Sequence, residues 1–238
     1  MSRDVEFLRS ADVGHHGTTL LHNVDFALEP GTITRLVGAN GVGKSTLIQS
    51  ALGLLPLING SWTFPHKPGS TAYQRAIGYM PSSVSGYPNL SLDNWFSLIA
   101  SGYVVDRKTV DTLWDDLGGR GSSSGIIESL SSGNRKKSLF TCAAAIQRQA
   151  IFLDEPFEEV DLYGQEVMAA KVTEQVSAGA AALIVSHRSV DHLLHVDRTW
   201  EIADGTLQTN TGRGPGTSPA TTPNKPAPEA ASGMETHG

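Results

Sequence analysis

The stretch GANGVGKST, residues 38–46, places three glycines, a lysine and two hydroxyl side chains within nine positions. It fits the spacing G-x-x-x-x-G-K-[ST] and follows an apolar run that reads as a strand, ahead of a helical pattern. That setting suits phosphate binding. Gly38, Gly41 and Gly43 permit unusual backbone angles, so that successive N–H groups from Gly38 through Ala39, Asn40, Val42 and Thr46 can turn inward on phosphate oxygens, aided by the positive end of the helix dipole. Lys44 is expected on the β- and γ-phosphates. Ser45 offers its hydroxyl to Mg²⁺, a cation that keeps most of its ligands as water and phosphate oxygen.

Two further stretches carry ionisable groups at the ends of apolar runs. IFLDEP, residues 151–156, ends in two carboxylates, and in an open parallel sheet ligands gather at the C-terminal strand ends. Asp154 is placed to organise Mg²⁺ or its waters. Glu155, one residue on, is placed to polarise an attacking water as general base. AALIVSHRS, residues 181–189, brings His187 to the same kind of edge, where an imidazole can hydrogen-bond a γ-phosphate and the attacking water.

These residues need a scaffold, and the pattern along the chain supplies one. DVEFLR and NVDFAL read as short strands of an antiparallel hairpin, with a turn at EPG, residues 29–31. TITRLVG is a buried strand into the glycine-rich loop, and KSTLIQSALGLL continues at helical spacing until Pro56 stops it. Residues from about 84 to 138 read as an inserted helical subdomain, carried by LSLDNWFSLIA and RKTVDTLWDDLG. From 139 to 205 helix and strand alternate, which implies right-handed crossovers and a mostly parallel sheet. Residues 1–207 therefore read as one α/β domain, and residues 208–238, rich in Pro, Gly, Ser, Thr and Ala, as a disordered tail.

Bulk properties narrow the class. At 238 residues the chain can bury a sizeable core. Its apolar runs fall short of the roughly 18–20 residues of a membrane-spanning helix. MSRDVEFLRSADVG lacks the pattern of a secretory signal. Cys142 is the only cysteine, so no internal disulfide forms and a reducing cytosol fits. A net charge of −6 argues against a nucleic-acid partner.

GANGVGKST, IGYMPSS, NLSLDNWFSLIA, LSSGN, IFLDEP, VDLYG and IVSHR arrive in an order that resembles the nucleotide-binding domain of ABC transporters over about residues 3–207. The resemblance implies a P-loop NTPase fold with an N-terminal antiparallel β-subdomain and an inserted α-helical subdomain. It further implies a dimer that encloses ATP and Mg²⁺ and drives a membrane permease encoded separately, from the cytoplasmic face of the membrane. The NLSL(D)N stretch and the short helical region are most similar to the ATPases of two-gene bacterial exporters.

Four departures stand out. Where the family has Gln after YMP, contacting Mg²⁺ and the attacking water and linking the site to the permease, this chain has Ser82. That side chain is shorter by about two carbons and suits a bridging water. The aromatic ring on which adenine usually stacks is replaced by His15 and His16 of GHHG. FEEVD keeps Asp161 at the family's dimer-contact aspartate and adds Glu158 and Glu159, read as a solvated face. The signature L-S-G-G-Q becomes LSSGN, residues 130–134. Ser131 and Gly133 keep the roles the family implies, a hydroxyl and a backbone amide aimed at the partner subunit's nucleotide. Ser132 matters only where the backbone needs positive φ or a close approach. RKK, residues 135–137, either supports the phosphate electrostatically or lines a wet helix face. Beside the transporter reading stand two others: a soluble ATPase of regulatory or assembly role, and a low-activity subunit of a heterodimeric pair.

Overall fold

In the computed structural model, residues 4–15, 17–83, 90–119, 125–187 and 189–210 are described. The expected parallel sheet rests on apolar strands covered on both faces. β3 (Ile33–Gly38), β5 (Ile77–Met80), β6 (Ala150–Asp154) and β7 (Ala181–Val185) join β8 (Arg198–Ala203) and β9 (Thr206–Asn210) in the order β5-β6-β7-β3-β8-β9. All pairs are parallel except the β8–β9 hairpin at the edge. Period-two alternation sends Phe152 and Leu183 to one face and Ile151, Leu153 and Ile184 to the other. Each face has its own cover, so both sets are apolar and the runs read as continuous.

The first cover is a second sheet, β2-β1-β4, built from β1 (Val5–His15), β2 (Thr18–Leu28) and β4 (Asn59–Trp62). β1 and β2 are longer than the six-residue runs legible in the sequence, because irregular register shifts along the β1–β2 pair break the alternation. Aromatic rings join the two sheets: Phe7 meets Phe152 edge-on at 5.1 Å between centroids, and Phe26 meets Trp200 at 5.4 Å. α1 (Lys44–Ala51) packs beside β1, with Leu47 and Ile48 fully buried.

The second cover is helical. α3 (Leu92–Tyr103) and α4 (Arg107–Asp116) form the inserted subdomain, with Phe96 and Trp114 in edge contact at 5.5 Å. The short α2 (Thr71–Ala76) leads into β5. α5 (Ser132–Ala144) connects the subdomain to β6, and α6 (Leu162–Ser177) connects β6 to β7. Arg148 closes the C-terminus of α5. Its guanidinium lies 4.2 Å from the Tyr103 ring centroid and donates to the carbonyls of Ala143, Cys142 and Gln74. Buried Gln175 donates to Ala144 and Ile146, so the orphan carbonyls of the helix end are met by side chains.

The tail boundary expected at residue 208 is corrected by β9, which runs on to Asn210 because its backbone pairs with β8 as far as Thr199. Residues 211–238 and His16 lie outside the described residues. Among the described residues no helix is long and apolar enough to cross a membrane.

Candidate nucleotide site

The strand order β6-β7-β3 sets the C-terminal ends of three strands side by side, and each carries one of the expected groups: Asp154, His187 and the phosphate loop. The loop turns sharply from β3 into α1. Gly38 and Gly43 have φ of 150° and 112°. A β-carbon on Gly38 would sit 2.9 Å from the Ile202 carbonyl oxygen, and one on Gly43 would sit 2.9 Å from Leu21 Cδ1. Both glycines are thus required by conformation and by space. Ala39, Asn40 and Gly41 are exposed at the loop's outer edge. The first intrahelical bond runs from the Leu47 amide to the Gly43 carbonyl, so the amides of Lys44, Ser45 and Thr46 open α1 without helical partners, where an anion is favoured.

Lys44 is 8% exposed. Its Nζ donates to the carbonyls of Gly38 at 2.8 Å and Ala39 at 2.9 Å, leaving one of its three N–H groups. Burial pulls its pKa down, while Glu155 and Asp154 pull it back up. Ser45 Oγ donates to Asp154 Oδ2 at 2.8 Å across the gap between α1 and β6. No set of three His, Cys, Asp or Glu is placed to hold a metal among the described residues. A hydroxyl beside a carboxylate suits instead a hard cation that draws its remaining ligands from water and phosphate.

Glu155 is 7% exposed and adopts φ of 50°, a left-handed conformation that costs a non-glycine residue of order 1–3 kcal/mol. Several contacts impose it. Its amide donates to the Val185 carbonyl at 2.9 Å, and its carboxylate accepts from the His187 amide at 3.1 and 3.3 Å. His187 Nε2 lies 3.2 Å from Glu155 Oε1. The imidazole expected on the γ-phosphate and the attacking water is thus engaged with the carboxylate, and its side chain stays 42% exposed. Burial raises the Glu155 pKa above the ordinary 4.5, against the lowering effect of the His187 amide and ring. A protonated carboxyl cannot act as a base, so with Glu155 in the expected role kcat/KM is expected to fall as pH drops through this raised pKa. Its acid limb is expected above 4.5, measured as ATP hydrolysis against pH; a limb at or below the ordinary value would contradict a buried base.

Ser131 caps α5, its hydroxyl accepting from the Asn134 amide at 3.2 Å, and remains exposed. Ser132 opens the helix on an exposed face and is not among the residues of positive φ, so replacing glycine strains nothing within the chain. Gly133 has a need the sequence did not show: a β-carbon there would lie 2.6 Å from the Glu159 carbonyl oxygen. Among the described residues, no hydrogen bond or ion pair joins Ser131 or Gly133 to the phosphate loop; they stand at the start of a separate helix, α5. Ser82 is exposed just past β5, whose Met80 pairs with Leu153, so it flanks the strand end that carries Asp154. His15 is exposed at the β1–β2 turn opposite Thr18. Glu158 and Glu159 are exposed, as expected for a solvated face.

RKK is corrected in part. Arg135 is exposed, but Lys136 and Lys137 are 7% and 5% exposed. Lys136 Nζ donates to the Glu155 carbonyl at 2.7 Å, and Lys137 Nζ pairs with Asp161, whose other oxygen caps α6 through the Gly164 amide. The signal for their burial was present: Lys136 shares helical spacing with Phe140 and Ala143, and Lys137 with Thr141 and Ala144, all on the core face.

The sequence profile of the ABC transporter family matches residues 21–158. The chain belongs to that family. It is 31% identical to the zinc import ATP-binding protein ZnuC of Pseudomonas fluorescens, over 79% of this chain and 69% of that protein. It is 28% identical to the cytochrome c biogenesis ATP-binding export protein CcmA of Albidiferax ferrireducens, over 74% of this chain and 86% of that one. A solved structure described as the ATP binding subunit of an ABC transporter superposes with a TM-score of 0.76 at 22% identity, covering 87% of this chain and 90% of that one, a likeness of fold. This member of the ABC family is an ATP-binding, ATP-hydrolysing subunit of a transporter.

Proposed function

We propose that the chain pairs with a second nucleotide-binding subunit around ATP and Mg²⁺ and powers a permease carried on another polypeptide, acting at the cytoplasmic face of the membrane. The observation that carries this reading is the division of the site into two surfaces. Lys44, Ser45, Asp154, Glu155 and His187 meet at one sheet edge, while Ser131 and Gly133 stand at the start of a separate helix, where Ser131 is exposed. A second copy would supply the missing wall. The phosphate chain would lie along the loop and the first amides of α1, with Lys44 at the β- and γ-phosphates. Glu155 would accept a proton from the attacking water, held in place by His187, and Ser131 of each subunit would address the nucleotide of the other. Ser45 and Asp154 would hold Mg²⁺, with Ser82 reaching it through water; bound there, the cation would neutralise charge developing on the phosphates. His15 would flank the adenine. No nucleic-acid partner is proposed. The nucleotide-binding unit would end with β9, and the remaining segment would be a separate tail.

Export rests on the NLSL(D)N stretch, since the relatives' names divide between zinc import and export. Ser82 favours a second reading, a soluble regulatory ATPase, because it stands where the family couples to a permease. Affinity capture of the tagged full chain from a detergent extract separates them. A polytopic membrane protein is expected to co-purify; its absence would overturn the permease-driving role, and vesicle transport with the captured complex then reads direction.

A further inference from the structure

The peptide that joins Glu155 to Pro156 has no N–H, so its carbonyl is its only hydrogen-bonding group. That carbonyl is taken by Lys136 Nζ at 2.7 Å. The other anchors of Glu155, Val185 through its amide and His187 through its carboxylate, belong to β7 and the residues just after it. Lys136 is therefore the contact that reaches Glu155 from the helical side, and it acts on a residue held at φ of 50°. The same helix touches the following turn twice more. Gly133 lets the backbone approach the carbonyl of Glu159, a residue that itself has φ of 62°, and Lys137 holds Asp161 while its stem packs over Gly164.

We propose that Lys136 is a positioning residue for hydrolysis. Its ammonium, carried one turn into the helix that Ser131 caps, fixes the peptide plane following Glu155 and with it the direction of the carboxylate. On the dimer reading above, on which this cross-subunit part rests, Ser131 faces the nucleotide of the opposite subunit. Displacement of α5 on engaging that nucleotide would then be passed through one side chain to the base that works on the chain's own nucleotide. Solvation of a helix face does not account for Lys136, because the group is buried and its amine is spent on a main-chain carbonyl. Attraction from Glu158, Asp154, Glu155 and Glu159 offsets part of what burial takes from its charge.

The test compares full-length wild type with Lys136→Met, which keeps the stem and removes the donor, and Lys136→Arg, which keeps a donor. One carbonyl asks for a single donor rather than a fork, so arginine serves where methionine does not. Lys136→Met is expected to lower kcat for ATP about tenfold or more with KM within about twofold, as misplacing a catalytic group does without loss of binding. Lys136→Arg is expected to recover most of the loss. Wild-type kcat in Lys136→Met, equal losses in both variants, or a KM that rises in step with the loss would each overturn the proposal. Thermal melts confirm that the variants fold. Where Lys136→Met does not, Lys136→Gln, polar but too short for the carbonyl, is assayed against the same expectation. Light scattering of a Glu155→Gln chain with ATP and Mg²⁺ reads the dimer separately. A monomer there overturns the pairing reading and the cross-subunit link, while the kcat comparison still decides the positioning role.

Discussion

Glu155→Gln is expected to lower the turnover of ATP by roughly 10²–10⁴-fold, the range for loss of a positioned general base. The amide has nearly the shape of the carboxylate and keeps an oxygen to accept from the His187 amide, so the strained backbone at residue 155 retains its anchors. Proton affinity is lost. A buried carboxylate whose pKa is pushed up by desolvation, beside Asp154 and Glu158, is also uncomfortable as an anion, and replacing it with a neutral group removes that cost. ATP affinity is therefore expected within a few-fold of wild type and the melting temperature is not expected to fall. Turnover under substrate saturation, binding by equilibrium titration and a thermal melt together check this. Turnover within tenfold of wild type would remove Glu155 from the role of base.

Lys44→Ala is expected to cut kcat/KM for ATP by about 10²–10³-fold, the usual cost of removing a preorganised donor at a developing charge, with ATP affinity falling as well. Two effects add. The variant loses the ammonium aimed at the phosphates, and it releases the Gly38 and Ala39 carbonyls that the ammonium holds within the loop. Lys44→Arg is not expected to rescue, because a planar fork does not fit a buried slot framed by two main-chain carbonyls. The contrast with Lys136→Arg is informative, since there one acceptor must be met and here three. Preserved hydrolysis in Lys44→Ala would contradict the site.

The parts legible in the sequence are those whose information is local. The phosphate loop reads from spacing because its turn, helix start and lysine are contiguous, and Asp154, Glu155 and His187 read as strand-end residues because β6 and β7 are short apolar runs covered on both faces. Their convergence followed from the parallel order that such runs imply. β9 was missed because an exposed edge hairpin of polar residues carries little alternation. For Lys136 and Lys137 charge alone suggests phosphate support or a solvated face, although helical phase places them with Phe140 and Thr141 on the core side.

The LSSGN segment separates the two kinds of knowledge. Its resemblance to the family signature implies a hydroxyl and backbone amides at a helix start, and a capping serine before a helix is a local matter. Tertiary structure alone decided that Ser132 is harmless within the chain, that Gly133 is demanded by the Glu159 backbone, and that the following lysines face inward onto Glu155 and Asp161. Those facts depend on which distant segment packs against α5, and spacing along the chain cannot encode an approach between residues 133 and 159 that only the folded turn creates.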